Sequence, residues 1–159
     1  MSVTIHATTA EDHADVLQLL NDRWTSPDMI IENETIDASR LPGYTARADG
    51  ELVGLVTLIK RPEEWEILTL DSLNRWDGVG SRLLQAVVEE AKASHIHRLT
   101  VRTSNDNLDA FRFYQRRGFR LERIGFGVID AEREKNPGIP LTGDYGIEIH
   151  DEVFFSRSL

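Results

Sequence analysis

The spacing of apolar and polar positions along this chain predicts most of its elements. Residues 3–7 (VTIHA) alternate and read as a short strand. Thr8-x-x-Glu11 has the form of a capping box, and Val16, Leu17, Leu19, Leu20 and Trp24 follow at helical spacing. That helix should stop before Pro27, whose ring cannot continue it. Residues 25–42 are polar and irregular, with one short helix expected around 34–39. Residues 44–48 and 51–59 then flank Asp49-Gly50, a pair that supplies both positive-φ positions of a tight type I′ turn. Residues 64–70 make a third adjacent strand, so the chain begins with an antiparallel meander.

A helix is expected over 78–93, with Val79, Leu83, Leu84, Val87, Val88 and Ala91 on one face. A strand at 99–102 and a helix at 108–117, stopped by Gly118, come next. Residues 119–124 form another strand, 130–146 a long turn-rich connection, and 147–155 a last strand. The order mixes an antiparallel first half with βαβ units in the second. It predicts a single α+β domain over residues 1–159, a mixed but mostly antiparallel sheet of six to seven strands flanked by about four helices.

Composition narrows the function. The chain has 159 residues, 40% of them hydrophobic, and carries 18 Lys plus Arg against 27 Asp plus Glu, a net charge of −9. A nonspecific nucleic-acid binder needs a basic surface and is excluded. Cysteine is absent, which removes disulfide scaffolds, thiolate metal sites and cysteine nucleophiles. The N-terminus lacks the charged and apolar blocks of a signal peptide, and no apolar run reaches the roughly 20 residues of a membrane span, so a cytoplasmic protein is expected.

The densest chemical signal lies between the third meander strand and the helix after it: Leu68-Thr69-Leu70-Asp71-Ser72-Leu73-Asn74-Arg75-Trp76-Asp77-Gly78-Val79-Gly80-Ser81. The first N–H groups of a helix lack intrahelical partners and carry positive potential, and glycines let backbone approach an anion closely. A Walker loop would need a Lys before Ser81, and a dinucleotide loop a third glycine near Leu83. What remains, Arg75-x-x-Gly78-x-Gly80, resembles the acyl-coenzyme A pyrophosphate loop of the GNAT acetyltransferase superfamily. Asn107-x-x-Ala110-x-x-Phe113-Tyr114-x-x-x-Gly118-Phe119 is similar to that family's second signature, in the right order. Two departures stand out. Ser72 or Leu73 stands where the family often has a Pro, and Trp76 and Asp77 stand where it has a small or basic residue.

The resemblance implies an N-acetyltransferase that moves an acetyl group from acetyl-CoA to a primary amine, with acetyl-CoA as co-substrate and no metal. By resemblance, the backbone of Leu68 and Leu70 would pair with the pantetheine arm. The N–H groups of Arg75, Trp76, Asp77, Gly78, Val79, Gly80 and Ser81 would hold the pyrophosphate. Tyr114 stands where the family carries its general acid, and a phenol is well matched to a departing thiolate; the alternative is an aromatic packing its helix beside Phe111. Asn107 would contact the coenzyme, cap its helix, or both. Glu64 and Glu66, two apart on one expected strand, are the candidate bases, water being the alternative. No cysteine exists for an acetyl-enzyme, which favours direct transfer in a ternary complex. Asp28, Glu32, Asp144 and Glu148 lie in the segments expected to choose a cationic acceptor. A non-catalytic acyl-CoA-binding or partner-binding module is the alternative function. Neither nucleic acid nor membrane is an expected partner, and monomer and homodimer are both compatible with the sequence.

Overall fold

Strand β1 (Val3–Ala7) forms where the alternation places it. The structure, a computed structural model, describes residues 2–73 and 78–159, and its contacts divide the chain into one unit ending at His97 and a second, Arg98–Leu159. In the first unit β1 is followed by a single turn at Ala10–Asp12 and helix α1 (His13–Trp24). The cap sits one residue later than Thr8 and Glu11 predict. The Asp12 carboxylate accepts the Thr9 backbone N–H at 2.8 Å and its hydroxyl at 3.3 Å. Arg47 bonds Asp12 at 2.8 Å and Asp15 at 2.9 Å, fastening this end of α1 to the sheet. Val16, Leu19 and Leu20 form its buried face, packed with Leu55, Leu68 and Ile31.

Residues 25–42 are more regular than their polarity predicts. They contain an antiparallel hairpin, β2 (Asp28–Ile31) and β3 (Glu34–Asp37), and the short helical turn is Ala38–Arg40. Glu32 and Asn33 turn this hairpin with φ 51° and 68°, and no glycine marks it. The meander follows as β4 (Gly43–Ala48), β5 (Glu51–Lys60) and β6 (Trp65–Ser72), in the order β1-β4-β5-β6. Asp49 and Gly50 make its turn with φ 51° and 82°. Helix α2 (Val79–Ala93) packs on the face away from α1. A Cβ on Gly54 would lie 2.7 Å from Val79 Cγ1 and 3.1 Å from Leu83 Cδ1, while the neighbouring Leu55 points to α1.

In the second unit, β7 (Arg98–Ser104), α3 (Leu108–Gln115), β8 (Arg120–Gly125), α4 (Val128–Lys135) and β9 (Glu152–Ser158) succeed one another. Strands β7 and β8 both run antiparallel to β9. Two expectations change here. Helix α4 occupies the start of the segment expected to be a turn-rich connection, and the last strand begins at Glu152 instead of 147. Phe155 is fully buried and meets Phe111 edge-on at 5.2 Å. Among the described residues, four α-helices and seven strands, beside the small hairpin, make the α+β fold that the pattern predicts.

Candidate functional site

Strand β6 holds the first half of the expected chemistry, and its register is broken at one point. Thr57 of β5 pairs with Thr69, and Leu58 pairs with Ile67, so Leu68 is one residue more than the β5 ladder accommodates. Such a bulge bends a strand and re-aims its backbone, and it commonly marks a site. The Leu68 side chain is buried in the α1 cluster, and Leu70, opposite Val56, is half-buried.

Glu66 lies opposite Ile59, on the face covered by α1. It is 2% exposed, and Arg61 donates to its Oε1 at 3.0 Å. Glu64 is half-buried and precedes the strand, which starts at Trp65, so the two glutamates are not the same-strand pair that the pattern predicts. The same face continues with a buried hydroxyl pair, Thr57 and Thr69 at 2.7 Å. Then comes Asp71, which accepts the Trp24 indole N–H at 2.8 Å and has Arg23 at 3.6 Å. Burial pushes the Asp71 carboxyl above the usual carboxylate range, against the lowering by Trp24 and Arg23.

Strand β6 ends at Ser72, and α2 starts at Val79. Arg75, Trp76 and Asp77 lie outside the described residues. Gly78 has φ 83°, the left-handed region that glycine enters without strain, and an added Cβ would meet nothing within 4 Å. Val79, Gly80 and Ser81 form the first turn, which holds no acidic residue. An anion at this end would meet helix N–H groups and the positive end of the dipole with no carboxylate of that turn competing.

Asn107 and Tyr114 stand at the two ends of α3. Asn107 is its N-cap: Oδ1 accepts the Ala110 N–H at 3.1 Å, and Nδ2 donates to Thr103 Oγ1 at 3.1 Å. Tyr114 is 6% exposed, with ring centroids of Phe113, Phe119 and Phe155 at 5.1, 5.2 and 6.0 Å. Packing is therefore one of its roles. Of the acidic residues expected near an acceptor, Glu148 bonds His150 at 2.9 Å, and the Asp144 backbone donates to Asp106 at 2.9 Å. Asp28 opens β2, and Glu32 is in its turn. Arg61, Asp71 and the threonine pair escaped the sequence reading. The one signal was a charged or hydroxylated residue at 66, 69 and 71 within an otherwise apolar strand.

Known proteins are similar to this chain in sequence and in fold. The sequence model of the acetyltransferase (GNAT) family matches residues 11–119. YxbD of Bacillus subtilis (strain 168), described as uncharacterized, is 36% identical over 137 residues, 86% of each chain. Among solved structures, the IAA acetyltransferase from Bacillus cereus ATCC 14579 superimposes with a TM-score of 0.76 at 26% identity, covering 99% of this chain and 100% of that one. A GNAT family acetyltransferase from Elizabethkingia anophelis with acetyl-CoA bound gives 0.72 at 24% identity over 99% and 98% of the two chains. This chain belongs to the GNAT acetyltransferase family, and its fold is that of the family.

Proposed function

We propose that the whole chain is one acetyl-CoA-dependent N-acetyltransferase domain that transfers the acetyl group directly to a primary amine. The observation that carries this reading is the bulged strand β6 followed by a helix whose first turn is glycine-containing and free of acid, in a chain of this family. In it, the β6 backbone at Leu68 and Leu70 pairs with the pantetheine arm. The N–H groups of Gly78, Val79, Gly80 and Ser81 receive the pyrophosphate, as do those of Arg75, Trp76 and Asp77, by resemblance. Asn107 contacts the coenzyme through the amide hydrogen its cap leaves over.

The amine nitrogen, relieved of a proton by Glu64, Glu66 or a water, attacks the thioester carbonyl. A backbone N–H stabilises the developing oxyanion. The C–S bond then breaks, and the Tyr114 hydroxyl gives its proton to the thiolate. The acidic residues Asp28, at the start of β2, and Glu32, in its turn, with Asp144 and Glu148, support an acceptor bearing a cationic amine. No step calls for a metal.

The test is acetyl-CoA turnover against a panel of small amines and peptide N-termini, with Tyr114→Phe beside the wild type. Turnover on at least one amine is expected. The variant should keep coenzyme affinity and lose about 10²- to 10⁴-fold in kcat and kcat/KM together. Glu64→Gln and Glu66→Gln identify the base, because only its loss removes the acidic limb of the pH–rate profile. Coenzyme binding without turnover on any amine would favour the non-catalytic acyl-CoA-binding module.

A further inference from the structure

Strand β8 ends the sheet order, so among the described residues one of its edges pairs with no strand. Its residues Arg120 to Ile124 are all exposed, and its register against β9 is broken between Leu121 and Arg123. That break decides where the side chains go. Leu121 stands opposite Phe155 and Ile124 opposite Val153, both buried, so the two share the face on which Phe155 meets Phe111 of α3. Arg123 stands opposite Phe154 and lies 3.5 Å from the centre of that ring. Glu122 accepts from Arg98, whose β9 partner Ser158 is on the Phe154 face. In an unbroken strand, residues 121 and 124 would point to opposite faces. Helix α3 leaves this pair open: Leu121 is 52% exposed and Ile124 65%. Phe126, just past the end of the strand, is 91% exposed.

The run Arg120-Leu121-Glu122-Arg123-Ile124-Gly125 is thereby its own complement. A two-fold axis perpendicular to the sheet sets two copies of the strand antiparallel and keeps each face on its own side. Placed between Glu122 and Arg123, that axis puts Leu121 beside Ile124 of the second copy on one face. On the other face it puts Glu122 beside Arg123 of the second copy, and brings Arg120 up to Gly125 and the exposed Phe126 ring. Apolar meets apolar and each charge meets its opposite, twice over, as an isologous contact requires. Bulges and charges on an edge strand deter ladders with unrelated strands. Here they leave one matched partner, the same strand of a second copy. A net charge of −9 keeps copies of this chain apart, but β8, with two arginines and one glutamate, carries none of that excess. We propose that the chain forms a two-fold dimer through the free edges of its β8 strands. A strand edge is far smaller than the roughly 20–30 residues a side of a standard interface, so the dimer belongs to the micromolar range. It does not depend on acetyl transfer.

Sedimentation equilibrium of the full chain across the micromolar range tests it, with the amide resonances of residues 120–126 followed on dilution. The mass should rise toward that of two chains, and those resonances should shift with concentration. Leu121→Lys and Ile124→Lys each put a charge into the apolar pair and should weaken association at least about tenfold. The charges give the sharper test. Glu122→Arg alone, or Arg123→Glu alone, sets like charges together and should weaken the dimer about tenfold or more. The double reversal Glu122→Arg/Arg123→Glu should restore it. Loss of the Arg98 bond within one chain would not be rescued in this way. Circular dichroism checks each fold, and Ile124→Ser and Arg123→Gln take the place of any variant that unfolds. A chain that stays monomeric at every concentration overturns the proposal. So does a dimer indifferent to the Leu121 and Ile124 variants, whose contact would lie elsewhere, and so do single reversals that the double reversal leaves unrescued.

Discussion

Asp71 shows what a single buried charge does in this molecule. Its carboxylate is 7% exposed, holds the Trp24 indole and faces Arg23, so it ties the last residues of α1 to the end of β6. Because burial raises its folded-state pKa above the unfolded value, its contribution to stability is present below about pH 3.9 and is lost as pH rises through the raised value. At neutral pH the ionised form is a cost that the hydrogen bond offsets. Asp71→Asn keeps an acceptor for Trp24 and removes that cost, so urea denaturation at pH 7 should place it within about 1 kcal/mol of the wild type. Asp71→Ala removes the acceptor and should lose about 1–3 kcal/mol. Equal losses in both variants would mean that the pairing with Arg23, not the indole bond, holds this junction. The sequence could not announce this residue. Trp24 and Asp71 are 47 positions apart, and no local spacing encodes a bond between them. Asn107, by contrast, was legible as a cap because its partner, Ala110, is three residues away.

At the scale of elements, the legible ones were those whose apolar pattern has a clear period. Helix α2 buries Val79, Leu83, Leu84, Val87, Val88 and Ala91, as its spacing predicts. The missed elements lack such a signal. The β2–β3 turn uses Glu32 and Asn33 where a glycine would have marked it, and α4 buries only Ile129. What holds α4 is polar. The His150 carbonyl accepts the N–H of Ile129 at 3.0 Å, and the His150 ring lies 2.7 Å from Asp130 and 2.9 Å from Glu148. Arg133 also bonds Asp130 at 2.8 Å. Asp130 first, and then Glu148, raise the His150 pKa above its ordinary value of 6.5. A raised histidine stabilises fully below its unfolded pKa, here about 6.5, and the contribution is lost as pH rises through the folded value. Amide protection factors in α4, corrected for intrinsic exchange, should therefore fall as pH climbs past the His150 titration followed by NMR. In His150→Gln they should stay flat over the same range. A pH-dependent loss that survives in that variant would assign it to another group.

At the scale of the whole molecule, the proposed coenzyme site should act on global stability by mass action. A ligand bound only by the folded chain stabilises it by about 2.7 kcal/mol at a hundredfold excess over Kd. For a chain of 159 residues, that corresponds to a rise in Tm of roughly 5–11 °C. The control must weaken the site without weakening the fold, and the first turn of α2 supplies one. Ser81→Glu puts a carboxylate at the positive end of the helix dipole, which favours the helix by about 0.3–1 kcal/mol, while repelling a pyrophosphate at the same N–H groups. The two effects have opposite signs, so fold and binding separate within one variant. Scanning calorimetry should find the ligand-free Tm of Ser81→Glu equal to or slightly above that of the wild type. The increment from coenzyme A should fall to less than half. An unchanged increment would show that the pyrophosphate does not sit at this helix end, and the phosphate-cradling role of Gly78 to Ser81 would have to be given up. No increment in the wild type at saturating coenzyme A would remove the acetyltransferase reading itself, leaving the family fold without its usual ligand.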